Sequence, residues 1–436
     1  MRERNWMSEP AQRWALALAV LFVASFAVRA FVAAALDHPP TFLHDAGWYD
    51  FFGKQIASGR GYSLTLGEPT AAWPPGYPYF LGGIYRLTGD SQLAARVVQA
   101  VVGAATVVVT AELGRRLANP ATGFAAGLIL AFMPSHVLFT ALLMSEVLFT
   151  LLLTAGVLLA LKPASFRRAA AAGLVFGLAM LVRPQAAIIL AAIFGWWIAI
   201  GYLTEPRRIR SIAAGGVIAG AMALTIVPWS VRNHAQMGTW STSTNTGLNL
   251  WIGNNPDADG GFRLTNTQTF DLAVATLERP ESEVLHDRLA REAAVEYIKR
   301  NPVDTLLLAP EKIRRTYEND RAFTPIYNRD GDNLRTISGR QLDLLSDAYY
   351  YPVLLAALCG TVLLAWTRRS TAGLIALVLV AWSLVSIVFF GQNRFHIPVL
   401  PILVIPAGYA VAEAIRALAP GRLGTAPERR SGADAS

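Results

Sequence analysis

The chain has 436 residues, of which 53% are hydrophobic and 16% are charged. Soluble proteins carry about 25% charged residues, so this composition excludes an ordinary soluble domain and indicates a polytopic membrane protein. The net charge is +8, but the basic residues lie between apolar segments and form no stripe, which argues against nucleic-acid binding. A single cysteine, Cys359, excludes an intramolecular disulfide.

Ten apolar segments predict membrane-spanning helices, each of which needs about 20 residues. They lie at residues 14–36, 93–113, 122–140, 146–161, 169–182, 185–203, 211–230, 348–366, 371–390 and 397–416. The fifth segment is short. Of all the boundaries between segments, the one between the fifth and the sixth, within residues 169–203, is the least sharply defined. No small-residue cleavage site follows the first segment, so we expect a retained span and not a signal peptide.

The distribution of Lys and Arg predicts the orientation of the chain. Basic clusters such as Arg115–Arg116 and Arg368–Arg369 fall on one alternate set of connections, whereas the short connections of the other set carry only Arg183 and Arg394. Because positive charge concentrates in cytoplasmic loops, we expect a multi-pass protein of the cytoplasmic membrane. Both termini would be cytoplasmic and the active site extracytoplasmic.

This topology divides the chain into four parts. Residues 1–230 form an N-terminal transmembrane module with a first outer loop at 37–92, and residues 348–416 form the C-terminal transmembrane helices. Residues 231–347 are polar enough for a small extracytoplasmic domain, predicted to be mixed α/β because Trp240–Asn255 is rich in Thr, Asn and Gly, which favour turns and short strands. Residues 417–436 are predicted to be a disordered cytoplasmic tail. We assign Gly123/Gly127, Gly173/Gly177 and Gly216/Gly220, spaced four apart, to helix packing.

Asp45 is the first candidate for chemistry. It lies just beyond the first span in the run His44-Asp45-Ala46-Gly47-Trp48-Tyr49-Asp50. A carboxylate packed among aromatic residues at the membrane surface suits a general base, and a sugar ring stacks well on such residues. The alternative is a helix-capping aspartate.

Glu146 is the second candidate, in the polar break Met144-Ser145-Glu146 between two apolar runs. Acidic residues at membrane depth are rare and usually face a cavity or a partner. The alternative is a glutamate that extends to the membrane surface from a tight turn.

Isolated cations at the predicted outer face are the third group, namely Arg29, Arg183, Arg232 and Arg394. Each could bind the phosphate of a lipid-linked substrate, because arginine matches phosphate geometry; for Arg232 we favour contact with lipid phosphate. Lys312 lies on a predicted amphipathic helix that could instead rest on the bilayer. No phosphate-binding loop or Cys/His metal motif is present. The sequence requires no cofactor, and His38 and His44 beside Asp45 are only a weak signal for a divalent cation.

These residues give the chain a resemblance to GT-C-fold integral-membrane glycosyltransferases of the bacterial protein-mannosyltransferase and aminoarabinose-transferase kind. The resemblance covers roughly residues 10–415. The runs that carry it are Asp45–Tyr49, Trp73–Pro78, Ser145–Glu146, Arg183–Pro184, Pro228–Asn233, Ser243–Asn245, Asn249–Pro256 and Arg394–Pro398.

The resemblance implies an inverting transferase that moves a sugar from a polyprenyl-phosphate donor to a protein, lipid or cell-envelope glycan. Asp45 would be the catalytic base, and Glu146 would also line the site. Substrate contacts are expected from His44, Trp48, Tyr49, Arg183, Asn245, Asn249, Lys312, Arg394 and His396. Many members carry two adjacent acids in the first loop, whereas here Asp45 is followed by Ala46, so metal binding is not carried over.

Two alternatives remain open. A flippase or transporter of lipid-linked sugars would need a similar cavity and similar cations, although no inverted repeat of the kind common in transporters is evident. A glycan polymerase or ligase would use related chemistry on a diphosphate-linked glycan.

Overall fold

The computed structural model describes residues 9–35, 45–64, 68–163, 165–203, 208–264, 267–275, 278–324 and 338–418. Within these ranges the chain is almost entirely helical. Strand pairing there is limited to one isolated bridge, between Ser63 and Pro69. The predicted all-α architecture of the membrane part is therefore confirmed in this part of the chain.

The helices are numbered in chain order. The first ten are α1 (Glu9–Ala35), α2 (Asp45–Ala57), α3 (Gly76–Thr88), α4 (Gln92–Leu117), α5 (Pro120–Ala131), α6 (Pro134–Leu138), α7 (Glu146–Ala160), α8 (Phe166–Val182), α9 (Ala186–Ala199) and α10 (Arg208–Met237). The others are α11 (Thr246–Gly253), α12 (Gln268–Val274), α13 (Glu281–Arg300), α14 (Pro302–Leu307), α15 (Ala309–Tyr317), α16 (Gly339–Thr367), α17 (Arg369–Val388) and α18 (Leu400–Leu418). Short 3₁₀ helices, Phe139–Ala141 and Asn393–Val399, follow α6 and precede α18.

Six of the described helices are long and apolar enough to cross a membrane, and the bent pair Pro120–Ala131 and Pro134–Ala141 makes seven if it counts as one span. The predicted spans at 146–161, 169–182 and 185–203 coincide with α7, α8 and α9, which have 15, 17 and 14 residues. These three helices are shorter than the roughly 20 residues of a full span. The count of ten spans therefore stays a prediction.

The bend of 62° between α5 and α6 is stabilised by Arg29 of α1. Its guanidinium is fully buried and donates to the backbone oxygen of Ala131 at 2.9 Å and to Nδ1 of His136 at 2.6 Å. A break inside a membrane leaves backbone carbonyls without partners, and Arg29 satisfies the one at the end of α5. The predicted phosphate-binding role of Arg29 therefore has a structural alternative.

Close helix packing explains two of the three predicted glycine pairs. A Cβ atom at Gly123 or at Gly173 would lie 2.3 Å from a backbone oxygen of a neighbouring helix, so both positions require glycine. Gly216 and Gly220, by contrast, have no atom within 4 Å of such a Cβ. The third pair thus faces open space, and its assignment to packing is wrong.

The segment 231–347 contains α11 to α15 and no strand within its described residues, so its predicted mixed α/β character is not found there. The Thr- and Asn-rich run forms bends and then α11, because its side chains bond locally. For example, the Asn249 amide donates to the backbone oxygen of Asn245 at 2.9 Å. Glu283 of α13 ties this segment to the first outer loop, since it accepts hydrogen bonds from Thr70 Oγ1 at 2.7 Å and from the Ala71 amide at 2.9 Å.

Candidate active site

Asp45 is the first residue of α2, where a carboxylate interacts favourably with the helix dipole. Its Oδ2 atom accepts a hydrogen bond of 2.8 Å from Nη1 of Arg394, in the 3₁₀ helix before α18. The first outer loop and the last apolar segment therefore meet at this ion pair. About 31% of the Asp45 side chain remains exposed, which leaves the carboxylate accessible to a ligand.

The pKa of Asp45 is lowered by its surroundings. Burial alone would raise the pKa, but the positive charge and hydrogen bond of Arg394 outweigh this, together with the charge of Arg183 and a hydrogen bond from the Trp73 side chain. The carboxylate is therefore ionised at neutral pH, as a general base must be. Burial and the nearby charge of Asp45 raise the pKa of Tyr49, which keeps its phenol protonated.

Glu146 is the first residue of α7 and is fully buried. Its Oε1 atom lies 2.6 Å from Nη2 of Arg183 and 3.9 Å from Nη1 of Arg394. Neither contact is a hydrogen bond, and within the described residues neither carboxylate oxygen has a hydrogen-bond donor. Glu146 is therefore held by charge and not by directed bonds.

Ser145 links the two sides of the site. Its buried hydroxyl oxygen accepts hydrogen bonds from Nε of Arg183 at 3.0 Å and from the hydroxyl of Tyr49 at 3.4 Å. The guanidinium of Arg183 also lies over the ring of Phe149, 5.9 Å from its centroid. These contacts fix the plane of the guanidinium, which prepares it to bind an anion.

A cavity of about 470 Å³ opens beside these residues, within the range of small-molecule sites. Its polar lining consists of Asp45, Arg183, Gln185, Ser243, Asn245, Thr246, Asn249, Ser386 and Arg394. Its aromatic lining consists of Tyr49, Trp73, Phe262, Trp382, Phe389, Phe390 and Phe395. A wall of this kind can hold a ligand with an anionic group, several hydroxyl groups and an apolar part.

The charges of the site are balanced. Two carboxylates, Asp45 and Glu146, lie among two guanidinium groups, Arg183 and Arg394. Within the described ranges, no group of three or more His, Cys, Asp or Glu side chains lies together as a metal site would require. Each of the two carboxylates already lies within ion-pair distance of a guanidinium group.

Three predicted contact residues lie away from the cavity. Trp48 stacks on Trp73 with ring centroids 5.2 Å apart, so it supports the cavity wall from behind. Lys312 is buried and donates to Oδ1 of Asn254 at 3.1 Å and to the backbone oxygen of Ile387 at 2.9 Å. It therefore contacts the carbonyl end of α17, where a cation interacts favourably with the helix dipole.

His396 is fully buried and lies between the backbone oxygen of Thr316, 3.0 Å from Nδ1, and Oδ1 of Asp320, 2.9 Å from Nε2. It joins α15 to the 3₁₀ helix that carries Arg394. His44, the remaining predicted contact, lies outside the described residues.

Arg232, the last of the isolated cations, does not line the Asp45 cavity and lines a neighbouring groove. It donates to the backbone oxygens of Thr70 at 2.7 Å and Tyr62 at 2.9 Å. Its guanidinium also lies 4.7 Å from the centroid of the Trp229 ring. These contacts anchor the first outer loop to α10.

Sequence reasoning did not select Trp73, Ser145 or Gln185 as site residues. Trp73 and Ser145 each belong to a run that carries the family resemblance, so that resemblance contained the signal for both. Gln185 follows Arg183-Pro184 and had no signal of its own. Its side-chain oxygen is buried and has no hydrogen-bond partner within the described part of the chain, while the residue lines the cavity.

Residues 72–231 match the family model described as dolichyl-phosphate-mannose-protein mannosyltransferase. The oligosaccharyltransferase of Archaeoglobus fulgidus, solved in complex with Zn and sulfate, is similar over 92% of this chain, with a TM-score of 0.55 and 13% identity. The chain has the GT-C fold of membrane glycosyltransferases. It spans 49% of that archaeal protein's length.

Two further solved structures are reported for comparison. The archaeal oligosaccharyltransferase AglB from the same organism, in complex with an inhibitory peptide and a dolichol-phosphate, gives a TM-score of 0.50 at 12% identity, over 93% of this chain and 52% of its own. ArnT from Cupriavidus metallidurans bound to undecaprenyl phosphate gives a TM-score of 0.42 at 17% identity, over 91% and 78%. No curated protein matches the chain.

The resemblance found in the sequence is thus confirmed at the level of the fold. The matched residues 72–231 include Glu146 and Arg183, whereas Asp45 and Arg394 lie on either side of that range. The GT-C cavity of this chain is therefore completed by residues that the family model does not cover.

Proposed function

We propose that this protein is an inverting glycosyltransferase that moves a sugar from a polyprenyl-phosphate donor to an acceptor hydroxyl or amine. The acceptor would belong to a protein, a lipid or a cell-envelope glycan. The observation that carries the proposal is the meeting of Asp45, Arg183 and Arg394 in one cavity. It brings together an ionised base and two cations, which are the groups that transfer from a phosphate-linked donor requires.

The donor phosphate would lie between Arg183 and Arg394. Both guanidinium groups line the cavity, and arginine forms paired hydrogen bonds with phosphate oxygens. A dolichol-phosphate in the archaeal relative and the dolichyl-phosphate donor in the description of the family model support this donor class.

The transfer step uses Asp45 as the base. The acceptor oxygen or nitrogen attacks the anomeric carbon while its proton passes to the Asp45 carboxylate. The bond from that carbon to the phosphate oxygen breaks, and polyprenyl phosphate leaves with the electron pair. Arg394 stabilises the leaving phosphate. When the Arg394 guanidinium interacts with the phosphate, it stabilises the ionised form of Asp45 less. Asp45 thus becomes a stronger base when the donor is bound.

A second groove of about 670 Å³ supports the placement of the donor's lipid tail. Its walls include Leu148, Leu152, Leu178 and Leu181, and it shares Val182 with the Asp45 cavity. A polyprenyl chain is insoluble in water, so its path from the cavity must be apolar. Because of the distribution of basic loops, we place this site on the outer face of the cytoplasmic membrane.

The test follows a radiolabelled sugar on undecaprenyl phosphate, with purified protein in nanodiscs and a membrane extract as acceptor. We expect the label to leave the lipid with wild-type protein and to stay on it with Asp45→Asn. Movement of intact labelled lipid between the leaflets of sealed vesicles, without release of the sugar, would instead indicate a flippase. Consumption of only a diphosphate-linked glycan would indicate a polymerase or ligase. Equal transfer by both proteins would contradict the role of Asp45.

A further inference from the structure

A separate groove of about 530 Å³ lies between α9 and α17, at the end of the bundle away from Asp45. α17 connects the two sites. Arg369 and Ser370 at its start line this groove, whereas Ser386 and Val388 at its end line the Asp45 cavity. The proposed transfer reaction uses no residue of this groove, so its ligand requires a separate explanation.

Aromatic and basic side chains form the polar end of the groove. The buried indole of Trp196 donates to the backbone oxygen of Ser370 at 2.7 Å and so joins α9 to α17. The ammonium group of Lys162 lies 5.5 Å from the centroid of the Trp196 ring. Arg369 lines the same end. Two cations therefore approach one end of an otherwise apolar groove.

Lys162 and Arg369 differ in their partners from two arginines at the same end of the bundle. Arg115 and Arg116 pair with Glu112 at 2.7 and 2.6 Å. Their helix, α4, ends at Leu117, whose backbone oxygen accepts a hydrogen bond from Thr371 of α17. The end of α4 therefore lies next to the groove. Within the described residues, neither Lys162 nor Arg369 has a carboxylate within ion-pair distance, and both side chains are exposed.

The dimensions of the groove match one leaflet of a bilayer. Its lining on α17 runs from Arg369 through Gly373 and Leu377 to Val380. From Arg369 to Val380 the α-helix rises about 16 Å, and half of the hydrocarbon core is about 15 Å. Beyond Ser370 the lining on α17 is apolar, so a ligand that fills the groove is charged at one end and apolar along its length.

We propose that this groove binds an anionic phospholipid of the leaflet on that side. The headgroup phosphate contacts Arg369 and Lys162, and the hydroxyl of Ser370, which has no partner among the described residues, donates to it. One acyl chain lies over Gly373, where nothing occupies the space within 4 Å of a built Cβ atom. A headgroup with net negative charge is favoured over a zwitterionic one, because the described residues give the two cations no carboxylate partner.

The experiment measures lipid retention by the full chain in detergent. Native mass spectrometry would record the protein after incubation with equimolar phosphatidylglycerol and phosphatidylcholine. We expect preferential retention of one phosphatidylglycerol, weakened about fivefold by either Arg369→Gln or Lys162→Gln, which is the effect of one basic residue near an anionic surface. Arg167→Gln removes the same charge from an exposed residue outside the groove and should leave retention unchanged.

A second variant tests the acyl-chain position without changing charge. Gly373→Leu fills the groove and favours the helix, so the protein should fold while retention of phosphatidylglycerol falls by at least about fivefold. Three results would overturn the proposal: equal retention of the two lipids, equal losses from Arg369→Gln and Arg167→Gln, or full retention by Gly373→Leu. None of these results depends on glycosyl transfer, so the two proposals can fail independently.

Discussion

Nη1 of Arg394 lies 2.8 Å from Oδ2 of Asp45, although 349 residues separate them in the sequence. The contact joins the first outer loop to the segment that begins the last apolar stretch. Arg394 also lies 3.9 Å from Glu146, so one guanidinium approaches both acids of the site. The cavity thus forms only when the two ends of the chain have come together.

The base assignment predicts a large loss of rate in Asp45→Asn. A positioned base contributes about 10²–10⁴-fold, so kcat should fall by that factor while the protein remains folded. Asp50→Asn is the matched control on the same helix, because Asp50 instead accepts from Tyr85 at 2.6 Å and pairs with Lys54 at 2.7 Å. Transfer of labelled sugar in nanodiscs measures both, and similar rates for the two variants would contradict the assignment.

The lowered pKa of Asp45 predicts the pH dependence of transfer. The base is active when ionised, so activity is lost only as pH falls through a pKa below the ordinary value of 3.8. The kcat/KM of the wild type should therefore show no acidic limb above about pH 5. Arg394→Gln removes the largest contribution that lowers this pKa, so the residual activity should gain an acidic limb at higher pH. An unchanged profile would show that Arg394 does not control the ionisation of Asp45.

The buried pair of Arg183 and Glu146 predicts strongly non-additive stability. Arg183→Gln leaves the Glu146 carboxylate, 0% exposed, without its nearest cation, which should cost about 3–5 kcal/mol. The double variant Arg183→Gln/Glu146→Gln removes both charges and should recover most of that loss. Thermal unfolding in detergent measures the difference. If the losses of unfolding free energy simply add, the two charges do not stabilise each other. Donor turnover should be low in both variants.

The position of Lys312 predicts a structural effect of its substitution. Burial lowers its pKa to about 8, so the unfolded chain binds more protons than the folded one between pH 8 and 10.5. Wild-type stability should therefore gain from this group as pH rises through that window, and Lys312→Gln should lose that gain. Without the bond to the carbonyl end of α17, Lys312→Gln should also lose about 1–2 kcal/mol. A large increase in KM for the donor would instead restore Lys312 as a phosphate contact.

The sequence predicted those helices that a local pattern of apolar residues and capping residues is enough to specify. The apolar run at 93–113 became α4, Gln92–Leu117, whose first turn is capped by Ser91. The sequence also singled out Asp45 and Glu146, because acids beside apolar runs are rare, and the structure brings both near Arg394. The partners of these acids could not be predicted from the neighbouring sequence, because Arg394 and Arg183 lie far away along the chain.

Distant contacts also explain the errors. The run at 122–140 reads as one continuous span, but it bends after Ala131, where Arg29 satisfies a carbonyl 102 residues away. Lys312 and His396 have the residue types of phosphate contacts, yet each is buried against backbone carbonyls that only the tertiary structure brings near. The Thr- and Asn-rich run favours turns locally, but the packing of α11 on α13 overrides the strand propensity.

The packing of α11 against the end of α17 predicts a severe effect of Gly253→Ala. A Cβ atom at Gly253 would lie 1.5 Å from the backbone oxygen of Phe389, and backbone cannot move aside as a flexible side chain can. The variant must displace the cavity wall that includes Phe389 and Phe390, so the midpoint of thermal unfolding and the transfer rate should both fall sharply. Gly220→Ala is the control, because nothing lies within 4 Å of its Cβ position. Alanine there should be neutral or should stabilise α10 by about 0.5–1 kcal/mol. If Gly253→Ala unfolded at the same temperature as Gly220→Ala, the close approach of α11 to α17 would be wrong.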